Sequence, residues 1–457
     1  MGDPKLIKGD KKVIRAWTMY DWANSAYSLT ITSAVFPAFY VAQTMNGDAD
    51  LVLAQYGVRA ASIYPWALSV GFLITALIAP ILSGIADHRG NKKNFLRFFC
   101  YLGAVSCACL AFFSLDHLWL GLSLVAMACI GFSGSLIFYD AFLPEIAEKK
   151  DHDRVSARGF TMGYIGSVIL LIINLAMVLK SDALGIPSSI VLPGWLGGQE
   201  LGGIAARISF LSVGLWWASW AQIAFNKLPN GERSPDAVNV FTSGYKELRK
   251  TWIELRRTIR LKRFLTAFFV LNMGIQTVMY LAANFAKQEV KELDASGAQV
   301  PISDAALIMS ILLIQLVAIA GALIFVRLSE RFGNVRALMI GSVVWIGACV
   351  FAYSLHWTSE FYTLACVVGL VMGGSQALSR STYAKFLPET QDHASYFSFY
   401  DVSYYLGTVL GTAAYGAVYM VTGDLRYTVL TIGSFFIAGF VLLWRVPKEE
   451  VELSGQV

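Results

Sequence analysis

Charge is scarce in this chain. Asp, Glu, Lys and Arg make up only 15% of its 457 residues, while 56% are hydrophobic. Water-soluble domains are nearer a quarter charged, so a soluble globular fold is excluded for the bulk of the molecule. Metal-ligand spacing is also lacking. The six cysteines (Cys100, Cys107, Cys109, Cys129, Cys349, Cys366) all lie in apolar runs, and Cys107 and Cys109 point to different sides of a helix. They read as small packing residues. The five histidines (His88, His117, His152, His356, His393) all fall between the runs, which argues against a histidine proton relay inside a membrane. No ATP-binding motif and no nucleophile–base set is visible, so neither an enzyme nor a bound cofactor is expected. No cleavable leader is expected: the first fifteen residues are polar and basic and lead into a full-length apolar run. The runs lack the ten-residue in–out alternation of an outer-membrane barrel.

What is present is length. Twelve apolar runs occupy residues 17–41, 63–86, 95–115, 118–142, 158–179, 204–225, 264–285, 304–326, 337–355, 360–380, 396–419 and 427–446. A helix of ~20 apolar residues crosses a bilayer core of ~30 Å. The expected fold is therefore all-α and integral to a membrane, with twelve spans. The basic residues sort by side. Of 36 Lys and Arg, only Arg59, Lys180, Arg207, Lys287, Lys291 and Arg426 fall in loops on one side; the other 30 lie on the side of both termini. That asymmetry predicts cytoplasmic termini in an inner (plasma) membrane. It also accounts for the net charge of +5 without nucleic acid.

The chain repeats itself. Asp87-His88-Arg89-Gly90-Asn91-Lys92-Lys93 reappears as Glu330-Arg331-Phe332-Gly333-Asn334-Val335-Arg336, an offset of 243. Tyr139-x-x-Phe142-Leu143-Pro144-Glu145 reappears as Tyr383-x-x-Phe386-Leu387-Pro388-Glu389, an offset of 244. Two six-helix bundles, 1–225 and 264–457, are expected, joined by a linker at 226–263. Such an architecture suits a machine that rocks one half against the other around a central site. The linker opens with turn-formers (Ser234-Pro235-Asp236) and continues as a helix with Tyr245, Leu248, Trp252, Leu255 and Ile259 on one face and basic residues elsewhere. It is expected to lie along the anionic inner leaflet, either as a regulator or as a plain tether. On the far side, the connection 180–203, which carries Trp195, is expected to fold back over the outer mouth.

Charge inside a span needs a reason, because insertion costs ~2.5–3.5 kcal/mol per charged residue. Asp21 leads a polar stripe on span 1 with Asn24, Ser28 and Thr32. Either the stripe faces a wet cavity where Asp21 meets a cation or a proton, or Asp21 caps a neighbouring loop. On span 7, Asn272, Gln276 and Tyr280 share a face. Asp140 ends span 4, Arg158 begins span 5, Arg380 ends span 10 and Asp401 begins span 11. These charges either bridge the halves as a gate or pair within each half; Arg380 has the further option of gripping a carboxylate. In the repeated loops, Asp87 and Glu330 are expected to accept from the start of a neighbouring helix, where the dipole favours an anion. Arg89 and Arg331 belong to the same candidate gate.

These segments resemble a known family. The loop Gly84…Asp87-x-x-Gly90-Asn91-Lys92-Lys93 resembles the conserved loop between helices 2 and 3 of the major facilitator superfamily. Trp17-x-x-Tyr20-Asp21-Trp22-Ala23-Asn24-Ser25-Ala26-Tyr27 resembles the opening signature of its vacuole-effluxer-like family, related to the fungal autophagy-associated vacuolar amino-acid exporter. Tyr139-Asp140-Ala141, Arg158-Gly159-Phe160 and Gly373-Gly374-Ser375-Gln376-Ala377-Leu378-Ser379-Arg380-Ser381 fit the same family. Members commonly carry an acid before the span 7 glycine, where this chain has Met273.

The resemblance implies a secondary transporter, with amino acids as the cargo class. Asp21 is assigned to an ammonium group or a proton; Asn24, Asn272, Gln276 and Gln376 supply hydrogen bonds. Tyr27, Tyr139, Tyr164, Tyr280 and Tyr383 are placed in the cavity wall. The expected partners are a small-molecule substrate, protons as coupling ion and membrane lipids, and the working unit is expected to be a monomer. An exporter of drug-like or peptide-like solutes, or a non-transporting receptor on the same scaffold, stands as the alternative.

Overall fold

The computed structural model describes residues 7–45, 60–191, 198, 200–230, 240–294 and 296–449. Trp195, Arg59 and the Ser234-Pro235-Asp236 turn lie outside the described residues. Nearly everything else is helix, because a backbone in lipid must satisfy its own hydrogen bonds. The first long helix, α1, runs Lys11–Ala26, passes through a π-helical stretch at Tyr27–Ala34 and continues as Val35–Met45. Then come α2 (Ala60–Arg89), α3 (Lys92–Cys109), α4 (Leu118–Asp140), α5 (His152–Leu179) and α6 (Ile204–Lys227). The linker helix (Val240–Arg257) separates these from α7 (Ile259–Glu289), α8 (Asp304–Phe332), α9 (Asn334–Tyr353), α10 (Thr358–Phe386), α11 (His393–Thr422) and α12 (Leu425–Trp444). Two antiparallel hairpins, β1 (Ser189–Val191) with β2 (Glu200–Gly202) and β3 (Lys291–Leu293) with β4 (Gln299–Pro301), mark the opposite end of the bundle from the linker helix. These are called the hairpin end and the linker end below.

Ten of the twelve long helices are apolar enough to cross a membrane by composition alone. The two that fall short are α1 and α11. They carry Asp21, Asn24, Ser25 and Ser28, and Ser395, Ser398 and Asp401. Most of these polar residues are buried in the protein. Side chains help to hold the π stretch: the Thr32 and Ser33 hydroxyls donate to the carbonyls of Tyr27 and Ser28, five residues back. Such wide turns concentrate at functional sites.

Packing repeats across the midpoint. Helix α2 packs on α11, and α5 packs on α8 and α10. A second pair of contacts repeats at the hairpin end. Arg207, at the start of α6, donates to the Ala111 and Phe113 carbonyls just past α3. Arg426, at the start of α12, donates to the Tyr353 and Leu355 carbonyls just past α9. Both bases therefore cap the carbonyls at helix ends, which explains why they lie away from the basic side of the protein.

The linker helix is docked on the helical bundle. It packs on α2. Its Glu254 accepts from the Tyr396 hydroxyl of α11 at 2.9 Å, Lys250 pairs with Asp392 at 3.1 Å, and Trp252 meets Phe399 with ring centroids 5.4 Å apart. Tyr245, expected on its apolar face, stays exposed.

Candidate functional site

A single arginine organises the centre. Arg380 is 2% exposed, and all five of its N–H groups are used. Nε donates to Ser156 Oγ at 3.0 Å and Nη2 to the Ser156 carbonyl at 2.9 Å. Nη1 donates to Asp140 Oδ1 at 3.0 Å and to Asp21 Oδ2 at 3.4 Å, and Nη2 to Asp21 Oδ2 at 3.3 Å. Asp21 also accepts from the Tyr139 hydroxyl at 2.8 Å. The Phe160 ring lies 4.2 Å and the Trp17 ring 4.9 Å from the guanidinium carbon. An arginine from α10 is thus held by α1, α4 and α5, on the other side of the chain's midpoint. A guanidinium in this state has no donor left for a substrate carboxylate.

Above this knot, towards the hairpin end, lies a cavity of about 150 Å³. One wall is the α1 stripe, Asp21, Asn24, Ser25, Ser28, Thr32 and Ser33. The facing wall is α7, where Gln276 donates to Asn272 Oδ1 at 3.2 Å and Asn272 donates to the Tyr404 carbonyl at 2.7 Å. Tyr164 donates to Gln376 Oε1 at 2.8 Å, joining α5 to α10 along the rim. Tyr280 and Asp401 also line it.

Towards the linker end the helices are closed by a second set of contacts. Asp87 Oδ1 accepts from the Ala394 N–H at 3.2 Å and Oδ2 from the Ser395 N–H at 2.7 Å, at the start of α11. Lys92 pairs with Asp87 at 3.7 Å and with Glu145, and His393 Nδ1 lies 3.1 Å from Glu145. The counterpart across the midpoint has its polarity reversed. There the acid is Asp153 at the start of α5, which meets Lys385 at 2.5 Å and accepts from Asn334 and Ser329, both at 2.8 Å.

Several expected site residues lie elsewhere. Tyr27 packs against Phe132 and Trp217 and does not line the cavity, because the π stretch rotates it inward among the first six helices. Tyr383 donates to the Tyr396 carbonyl at 2.6 Å and tilts against Tyr400, so it joins α10 to α11 instead. Tyr139 stands behind Asp21, stacked on Trp17 with centroids 4.5 Å apart. Arg158 is exposed, and the partner of Asp140 is Arg380. Asp401 is not among the acids that Arg380 holds. Glu330 bonds the side chain of exposed Arg154 at 2.7 Å, not a helix start. Arg89 is exposed, and Arg331 is exposed with its guanidinium over Phe332. Ser156, Asp153, Lys385 and the α11 tyrosines carry no sequence signal of their own. Glu145 did: it closes the repeated Leu-Pro-Glu segment.

Removing the Asp87 carboxylate deprives the α11 start of its anion, a loss of about 0.3–1 kcal/mol and up to ~2 where the site is partly buried. Asp87→Ala should therefore separate α2 from α11 in a larger share of molecules. The check is a spin-label distance between cysteines at exposed Arg89 and Gln391 in a background without the native cysteines. An unchanged distance distribution would remove Asp87 from the closure.

The chain resembles known proteins over nearly its whole length. Residues 9–452 match the family model described as "Vacuole effluxer Atg22 like". The uncharacterised MFS-type transporter YxiO of Bacillus subtilis is 32% identical over 448 residues, covering 97% of each chain. Autophagy-related protein 22-2 of Aspergillus niger is 19% identical, covering 92% of this chain and 81% of its own. Among solved structures, the human organic anion transporter MFSD10 superposes with a TM-score of 0.70 at 14% identity, covering 96% of this chain and all of its own. The fucose transporter FucP gives 0.66 at 12% identity, covering 96% and 98%. The fold is that of the major facilitator superfamily.

Proposed function

The chain belongs to the vacuole effluxer Atg22-like family and is a transporter of the MFS type, and we propose that it moves a small polar organic solute, with amino acids as the class, by alternating access. The observation that carries this reading is the cavity at Asp21. Polar groups from α1, α5, α7 and α10 converge on it, and Arg380 ties its floor across the midpoint. In this reading the linker end is the cytoplasmic face of an inner membrane, both termini lie there, and the Arg380 and Asp87 contacts are its closed gate. The halves 1–225 and 264–457 rock about the cavity while the linker holds them together. The carboxylates under the cavity offer a place for a coupling proton. A single chain contains the whole path.

The cavity volume argues against a drug-like or peptide-like solute. Pockets for drug-sized ligands run to ~300–1,000 Å³, and this one is smaller. A fixed receptor would also have no use for two gates of opposite polarity.

The test is flux of a broad amino-acid panel in proteoliposomes, with and without an imposed proton gradient. At least one member should move, and Asp21→Asn should reduce its flux by tenfold or more while the protein still folds and purifies. Flux of none would refute the cargo class. Full flux in Asp21→Asn, unchanged across pH, would take Asp21 out of the mechanism.

A further inference from the structure

Resting on the transporter reading above, we infer that Asp401 is the anchor for a cationic nitrogen on the transported solute, and that the site selects for that nitrogen and not for a carboxylate.

The inference starts from an imbalance. Four charged residues line the cavity: Asp21, Asp140, Asp401 and Arg380. Arg380 binds Asp21 and Asp140 and uses all its donors on them and on Ser156. Asp401 is left over. It is 3% exposed, it lines the cavity, and its Oδ2 is buried without a hydrogen-bond partner among the described residues. A buried carboxylate oxygen with no donor carries a large desolvation cost unless something arrives to meet it. A proton meets that cost while the cavity is empty, and an arriving donor with positive charge can replace it.

The surroundings suit that partner. Tyr400 and Tyr404 line the same cavity as Asp401, on the same helix. Aromatic faces attract cations through their quadrupoles. Asn272, which also lines the cavity, donates to the Tyr404 carbonyl and accepts from Gln276 through its amide oxygen. An anion entering here would meet acids, ring faces and a saturated guanidinium.

The experiment compares three charge forms on one skeleton. Purified protein is titrated with the amides of alanine, leucine and phenylalanine (cations), with the free amino acids (zwitterions) and with their N-acetyl derivatives (anions). Binding is read as thermal stabilisation, and flux by counterflow in proteoliposomes. At least one amide should bind, and about tenfold or more tighter than its N-acetyl counterpart. Asp401→Asn should abolish that preference, while Asp401→Glu keeps part of it. Without ligand, Asp401→Asn should melt no lower than the native protein, because Oδ2 makes no hydrogen bond that the amide would lose. A lower melting point would mean a structural role and overturn the proposal. So would binding of the N-acetyl forms at equal strength, an amide preference that survives Asp401→Asn, or stabilisation by none of the amides. Flux with no charge preference would overturn the amine site and leave transport standing. Amide binding without flux of any probe would keep the amine site and refute turnover.

Discussion

Arg380→Ala should abolish transport and lower the melting temperature more than any other single change in the cavity. The substitution removes five donated hydrogen bonds and strands Asp21 and Asp140 as buried anions. Breaking one side of a buried ion pair costs about 3–5 kcal/mol, against about 0.2–1 kcal/mol for an exposed pair. Two stranded acids place this case at the upper end. Arg380→Lys should recover little: an ammonium has three donors, and no planar fork to span Asp21, Asp140 and both oxygens of Ser156. The triple change Asp21→Asn, Asp140→Asn, Arg380→Gln should regain most of the stability and none of the transport, because the desolvated charges leave together. Thermal unfolding in detergent and proteoliposome flux are the two measurements. An Arg380→Ala protein that melts like the native one would mean the three side chains are solvated in practice. The rescue partner for Asp140 is Arg380; exchanging Asp140 with Arg158 should rescue nothing.

Gly159→Ala should be nearly as damaging, and Gly159→Val more so. Helix α5 meets α1 along Gly159, Gly163 and Gly166. A Cβ at Gly159 would overlap Asp21 Oδ2 and sit 2.8 Å from Arg380 Nη2 and 3.1 Å from the Trp17 ring. Overpacking a core costs ~1–3 kcal/mol where neighbours can shift. Here the atoms in the way are pinned: Asp21 by Tyr139 and Arg380, and Arg380 by Ser156. The methyl group must therefore part the ion pair or push α5 off α1. Gly163→Ala is the control, since its Cβ would meet the Ser25 hydroxyl, which can rotate away. Flux should fall at least tenfold in Gly159→Ala and much less in Gly163→Ala. Equal, near-native flux in both would show that the pair has room to spare.

The two predictions rest on contacts that the sequence discloses unevenly. The spans, the repeated loops and the α1 stripe are legible because they are local: runs of ~20 apolar residues, a seven-residue motif, a spacing of three and four. Asp87 falls into the same class, since loop and helix dipole together say what it wants. Partner choice is another matter. Arg380 is 240 residues from Asp140 and 359 from Asp21, and Arg158 offered the same charge much nearer. Only the packing of α5 against α10 decides between the two bases. Tyr27 was misplaced for a related reason. Spacing at 3.6 residues per turn assumes an unbroken helix, and the π stretch beginning at Tyr27 changes the register. Asp401 looked like a gate residue because an acid and a base near two helix ends suggest a pair. In the folded protein, nearer acids have already claimed that base.

The placement of Arg380 has a consequence for how the protein is made. Asp21 and Asp140 enter the membrane early, and the guanidinium that neutralises them is synthesised 240 residues after the later of the two. During that interval the emerging six-helix intermediate carries two carboxylates with no base to answer them. It must hold them protonated, keep them wet or delay its own compaction. Arg380 thus completes the charge balance of α1 and α4 only once the tenth helix is in place.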